Sequence, residues 1–356
     1  MHEFTFFKKS IISWFAQNKR DLPWRDTNNA YYIWISEIIL QQTRVNQGIN
    51  YYYRFIDQFP DVVSLANANI DEVMKCWQGL GYYSRARNLH AGAMQIVNNF
   101  GGKMPNSYAE LIKIKGIGRY TAAAIASIAF AERVPAIDGN VFRVLSRLFA
   151  DSTCIDDDNG YTHFYKIAQS MMVDCSPSDF NQALMEFGAL VCLPRNPDCA
   201  GCPIMSVCMA FQTNQMLSFP VKKQKKAPTS RFFNYFIFQY KQSFFLRKRD
   251  NEDIWKGLYE FPMSETKELL TVEKKYFEKI INEYVGDIQW NIKKHSDAVK
   301  HQLTHRTVVA TFYHIELSAL PNELSEYICI PKSQFHQYPV PKVIERYMEK
   351  EFDFKD

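Results

Sequence analysis

Four of the chain's eight cysteines, Cys192, Cys199, Cys202 and Cys208, crowd into one short stretch, separated by six, two and five residues. Soft thiolates at such spacing can converge on a single centre from one short loop. Spacing alone leaves a tetrahedral zinc ion and an iron–sulfur cluster both open. Cys76, Cys154, Cys175 and Cys329 are scattered, so the pattern reads as a metal site in a reducing compartment, not a disulfide framework. The N-terminal stretch MHEFTFFKKSIISWF has Lys8 and Lys9 where a secretory leader would be apolar. The longest apolar run, Thr121 to Ala131, is also far short of the roughly 20 residues that span a bilayer. The expectation is a soluble, cytoplasmic protein with no membrane partner.

The 356 residues are 47% apolar and include 27 Phe and 20 Tyr, enough for two cores. The net charge of +4 suits a polyanionic partner but does not demand one. Apolar residues recur at three and four positions up to about Phe211, as in Ile33, Ile35, Ile38 and Ile39, which predicts an all-helical domain over 1–216. FPVKKQKKAPTS breaks the periodicity and marks a linker over 217–230. Beyond it, aromatic and β-branched runs such as RFFNYFIFQY and HRTVVATFYHIEL predict a mixed α and β domain over 231–356, with helices at Thr271 to Val285 and Lys342 to Glu351. No oligomerisation stripe stands out, so a monomer is expected.

Two carboxylates have environments that suggest chemistry. Glu37 sits among Ile33, Trp34, Leu40 and Gln41 at helical spacing, where burial should raise its pKa and keep it protonated near neutrality, as a general acid requires. Asp138 precedes a helix in VPAIDGNVFRVLSRLF, a place where Asp is commonly a cap; it could equally stabilise a developing positive charge, with Asn140 near enough to orient it. In LIKIKGIGRYTAAAIASIAF, Gly116 and Gly118 mark a turn between helices and bare the backbone N–H groups of the second helix to an anion. Tyr120 lies just inside that second helix, and a phenol cannot form an imine.

Taken in order, RDLPWRDT, SEIILQQTRV, QGLGYYSRARNL, KGIGRYTAA, VPAIDGNVFRV, FNQALMEFGALVC and the cysteine loop resemble MutY-type adenine DNA glycosylases of the endonuclease III superfamily. The resemblance implies a helix-hairpin-helix glycosylase domain with a [4Fe–4S] cluster on the four cysteines, followed by a Nudix-like α/β domain. It implies base-excision repair in bacteria, at the nucleoid, on double-stranded DNA with adenine opposite 8-oxoguanine or guanine. Glu37 then corresponds to the acid, Asp138 to the sugar-side carboxylate, and Tyr120 to the position where lyase members carry the attacking Lys. Trp24, Arg25 and Gln182 match the adenine pocket; Gln42 and Tyr82 match residues that fill the stack after base flipping, and Tyr82 and Tyr83 both lie in a Gly-flanked loop suited to insertion. Leu303, Thr304 and His305 stand where the family's lesion-reading loop carries Phe-Ser-His; Thr304 keeps a hydroxyl and Leu303 lacks the aromatic face. Arg195, between the first two cysteines, suits a phosphate contact. No REUxEE-like acidic helix is present to hold magnesium for Nudix hydrolysis. Two rival readings are a pyrimidine-lesion glycosylase with lyase activity and a noncatalytic iron–sulfur DNA-binding module.

Overall fold

The computed structural model describes residues 2–224, 229–250, 252–270, 272, 275–303 and 306–352. By its contacts the chain divides into two units, Met1–Ala68 with Asn88–Gln224, and Asn69–Arg87 with Lys225–Asp356. No helix among the described residues is long and apolar enough to cross a membrane.

The first unit is helical, and local chemistry sets where its principal helices begin. Asn29 accepts from the Tyr31 and Tyr32 N–H groups to start Ala30–Leu40, Asp138 caps Gly139–Leu148, and Ser176 with Pro177 opens Pro177–Leu190. Leu145, Phe164, Phe180, Leu184 and Phe187 interdigitate with Phe7 and Ile11 in one core. Each such buried side chain is worth roughly 1.5–3 kcal/mol, and together they fix Pro177–Leu190 against Gly139–Leu148. Their approach depends on Gly188, where an added Cβ would sit 2.6 Å from Asn140 Cβ.

In the second unit, Thr229–Tyr240 and Arg306–Leu317 run parallel as the central pair of an eight-stranded sheet, with Ser243–Lys248 and Trp290–His295 antiparallel on either side. A parallel pair of this length needs both faces covered. Helix Lys275–Val285 packs Phe277, Ile280 and Ile281 over Phe236, Phe238 and Tyr313. The adjacent residue Phe312 points the other way and stacks on Tyr347 of helix Lys342–Glu351 at 3.9 Å and 4°. The C-terminal helix spans the residues its periodicity predicts. The other begins at Lys275, residues 271, 273 and 274 being outside those described.

Gly188→Ala should lower stability by about 1–3 kcal/mol through overpacking against Asn140. Urea unfolding of the two proteins, followed by far-UV circular dichroism, measures the difference.

Candidate active site

A cavity of about 1110 Å³ opens in the first unit. Helix Ala30–Leu40 supplies Glu37, helix Arg119–Phe130 supplies Tyr120, and the start of Gly139–Leu148 supplies Asp138 and Asn140. Trp24, Arg25, Gln42 and Gln182 line the same space, so residues scattered from position 24 to 182 meet around one chamber.

Glu37 keeps partial access to solvent through the cavity, yet protein surrounds its carboxyl closely enough that desolvation dominates. Burial pushes its pKa up to about 7, the charge of Asp138 adds to the rise, and the Tyr120 hydroxyl and Arg25 oppose it. The same hydroxyl lies 3.2 Å from Met185 Sδ, and its own pKa is driven well above the phenol range by burial and by both carboxylates. Asp138 is raised by burial too, but it accepts from the N–H groups of Asn140 (2.9 Å) and Val141 (2.8 Å) and from Asn140 Nδ2 (2.8 Å), all of which favour the carboxylate. Two unlike carboxyl environments thus share one cavity: Glu37 is desolvated, and Asp138 is desolvated but held by three donors.

The helix beginning at Asp138 is bolted to the cysteine loop. Arg143 donates to Asn140 Oδ1 (2.8 Å), Gly188 O (2.7 Å) and Cys192 O (2.7 Å); one turn on, Arg147 donates to Cys192 Sγ (3.3 Å), Leu193 O (2.7 Å) and Pro194 O (3.0 Å). All four loop cysteines are free thiols. Burial raises Cys202 to about 12 and also raises Cys199 and Cys208, and the neighbouring sulfurs of the set add to each rise. Four soft donors that feel one another's charge, ringed by buried arginines, fit a polynuclear thiolate-bound group. No trio of His, Cys, Asp or Glu among the described residues is grouped tightly enough for a single metal ion.

One residue escapes the sequence reading. Glu186, 2% exposed, accepts from Arg25 Nη1 (2.9 Å) and Arg20 Nε (2.8 Å), and burial fails to overcome these partners, so its carboxyl is held down at about 2. This pairing holds Arg25 at the cavity wall beside Trp24, which packs edge-on against Tyr52 at 5.2 Å. Its clue is its place four residues after Gln182, on the same face of one helix.

At the hairpin, Gly116 has φ +82° and sits where a Cβ would meet Asn88 at 2.8 Å, while Gly118 caps Arg119–Phe130 with no side-chain hydrogen bond and nothing within 4 Å of a built Cβ. The first N–H groups of that helix are thus open to an external acceptor. Of the two tyrosines in the Gly-flanked loop, Tyr82 has φ +49° and is 43% exposed, but Tyr83 is buried and its hydroxyl accepts from Gly79 N–H at 3.2 Å. Tyr83 is therefore a packing residue, not an inserting one, because the turn directs consecutive side chains to opposite sides. Arg195 is exposed. Thr304 and His305 lie outside the described residues.

A helical domain with this hairpin and this carboxylate-lined cavity is that of a base-excision DNA glycosylase: residues 35–168 match the family model described as HhH-GPD superfamily base excision DNA repair protein, and residues 234–350 match that of the NUDIX domain. A thermostable thymine-DNA glycosylase structure superposes with a TM-score of 0.56 at 27% identity, covering 60% of this chain and 98% of that one. A non-covalent endonuclease III–DNA complex gives 0.51 at 20% identity over 60% and 97%, which shows the fold alone. Adenine DNA glycosylase of Buchnera aphidicola subsp. Baizongia pistaciae is 41% identical over 261 residues, 72% of this chain and 73% of that protein. The mouse adenine DNA glycosylase is 44% identical over 220 residues, 59% of this chain and 43% of that protein. The chain belongs to the MutY-type adenine DNA glycosylase family.

Glu186→Gln should cost about 1–3 kcal/mol at pH 7, since it leaves Arg25, whose side chain is 10% exposed, and the half-buried Arg20 short of a counter-charge. A carboxyl held below its ordinary value stabilises the fold above that value, so the deficit should shrink as pH falls from 4.5 toward 2. Thermal melts of both proteins across that window test the sign.

Proposed function

We propose that this glycosylase removes adenine opposite 8-oxoguanine or guanine in duplex DNA, and that it does so by hydrolysis without cutting the strand. The observation that carries the chemistry is a pair of unlike carboxyl groups facing one cavity, Glu37 with its pKa pushed up to about 7 by burial and Asp138 accepting three hydrogen bonds.

With an extruded adenine in the cavity beside Trp24, Arg25 and Gln182, Glu37 donates its proton to a ring nitrogen and turns the base into a good leaving group. Positive charge builds on the deoxyribose as the bond to the base lengthens. Asp138, held by the helix N-terminus and Asn140, faces that charge as a fixed anion. Glu37, now a carboxylate, takes a proton from the attacking water. Tyr120 supports the acid through its hydroxyl and offers no amine, so no Schiff base forms and the product is an abasic site.

Gln42, also at φ +56°, and Tyr82 are suited to fill the stack around the flipped base, and the bare hairpin amides at Gly116 and Gly118 to hold a phosphate. Cys192, Cys199, Cys202 and Cys208 would hold a [4Fe–4S] cluster, which when bound cross-links the loop and adds a redox-capable centre. The Nudix-like unit reads the lesion opposite the adenine through Leu303, Thr304 and His305. The enzyme works as a monomer at the bacterial nucleoid.

A duplex with one adenine opposite 8-oxoguanine should be cleaved at that adenine only after alkali; nicking without alkali would reassign the chain to lyase chemistry. Glu37→Gln and Asp138→Asn should each slow single-turnover base release by roughly 10²–10⁴-fold. In the wild type, the rate should fall about tenfold per pH unit once pH passes 7, as Glu37 loses its proton. A raised folded-state carboxyl makes stability fall as pH climbs from 4.5 through 7, so Glu37→Gln should melt higher than wild type at pH 8, by about 1–2 kcal/mol.

A further inference from the structure

Met185 brings a thioether to the cavity wall, three residues after Gln182 and one before Glu186 on helix Pro177–Leu190. It is half-buried, and the Tyr120 hydroxyl donates to its sulfur at 3.2 Å. The same hydroxyl shares a hydrogen bond with the Glu37 carboxyl. A phenol has one proton to give, so the two acceptors compete for it, and they are unequal. A thioether is a weak, neutral acceptor with no proton of its own, whereas a bond to a carboxylate is roughly twice as strong as one between neutral partners. Protonating Glu37 removes that advantage. Asp138 faces both Glu37 and Tyr120 from the start of Gly139–Leu148, and Arg25 faces Glu37 from the segment before Ala30–Leu40. Glu186 holds Arg25 and Arg20, while Arg143, near Asp138, donates to Cys192 O. Each of these charges is anchored by a partner of its own, which leaves the Tyr120 hydroxyl as the rotor that can reorient.

We propose that Met185 is a positioning residue for the acid: its sulfur holds the Tyr120 proton while Glu37 is protonated, and yields it to the Glu37 carboxylate as Glu37 gives its own proton to the base. The inference rests on the reading of Glu37 as the general acid. One proton passes from Glu37 to the ring nitrogen; the Tyr120 proton stays on its oxygen and changes acceptor from sulfur to carboxylate. The bond from Tyr120 to the carboxylate is made only as charge develops on Glu37, so it acts on the transition state rather than on the resting acid. What the sulfur adds is a partner for the hydroxyl in the resting state, which makes the protonated acid the less costly form. With the sulfur gone, the hydroxyl turns to Glu37 in both states and draws it toward ionisation before a base is in reach.

Single-turnover release of adenine by the full-length protein, timed from about pH 5 to 9 on a duplex with adenine opposite 8-oxoguanine and normalised to each variant's own plateau, tests this. Met185→Leu keeps the side-chain volume and removes the acceptor. Its alkaline limb should move down by about half a unit, the worth of one weak hydrogen bond, so that the normalised rate at pH 8 falls about threefold. In a Tyr120→Phe background, with no hydroxyl to hold, the same substitution should leave the limb where it was. A Met185→Leu limb coincident with that of wild type overturns the proposal. So does an equal shift in the Tyr120→Phe background, which would make Met185 a packing residue acting on Glu37 through burial. Melting gives a readout without turnover. The advantage of Glu37→Gln grows with pH until Glu37 is ionised in the fold, and it should stop growing about half a unit lower when both proteins carry Met185→Leu. The same comparison in the Tyr120→Phe background should show no change. If the melting curves shift while wild type releases no adenine, the contact stands and the reading of Glu37 as the acid toward adenine fails. If adenine is released and neither curve moves, that reading survives and the role of Met185 is wrong.

Discussion

Two buried arginines on one helix hold the first unit's chemistry in place. Arg143 and Arg147 direct most of their N–H groups to backbone carbonyls of the cysteine loop and the segments before and after it, at 2.7–3.3 Å. A guanidinium removed from water must find acceptors, so these contacts are obligatory rather than incidental. The helix they lock begins at Asp138. Asp138 is thus positioned by a loop far along the chain, and a shift in that loop is transmitted through Arg143 to Asn140 and from Asn140 to Asp138.

The same economy governs Glu37. Its neighbours in sequence are apolar because helix Ala30–Leu40 is buried almost all round, and a lone carboxylate on such a helix would be expelled or neutralised. Keeping it protonated is the cheaper outcome, and that is the state a general acid requires. Asp138 meets equal burial with three donors aimed at it, so two carboxyls in one cavity diverge in behaviour through their hydrogen bonds rather than their depth.

Much of this is visible in the sequence because the relevant groups carry local marks: a carboxylate on an apolar stripe, glycines at a turn, cysteines at close spacing. Arg143 and Arg147 carry none and Glu186 only its four-residue spacing from Gln182, since a charged residue on an amphipathic helix reads as solvated until its partners are known. Tyr83 shows the opposite failure. A Gly-flanked loop suggests exposure for both tyrosines, but a positive φ at Tyr82 sends its neighbour inward. In the second unit, the aromatic and β-branched runs mark the strands, whereas the parallel pairing of Thr229–Tyr240 with a strand so distant in sequence has no local signature.

The grip at Gly118 differs in kind from every other candidate contact, because its donors are main-chain amides that each amino acid but proline supplies. Side-chain replacement there leaves the donors in place, so drift in this stretch has few ways to abolish the hold on the polymer. The cavity, built wholly from side chains, is exposed to change at each position. Such a division lets substitutions in the chamber change which groups face it while the hairpin's main-chain donors stay in place.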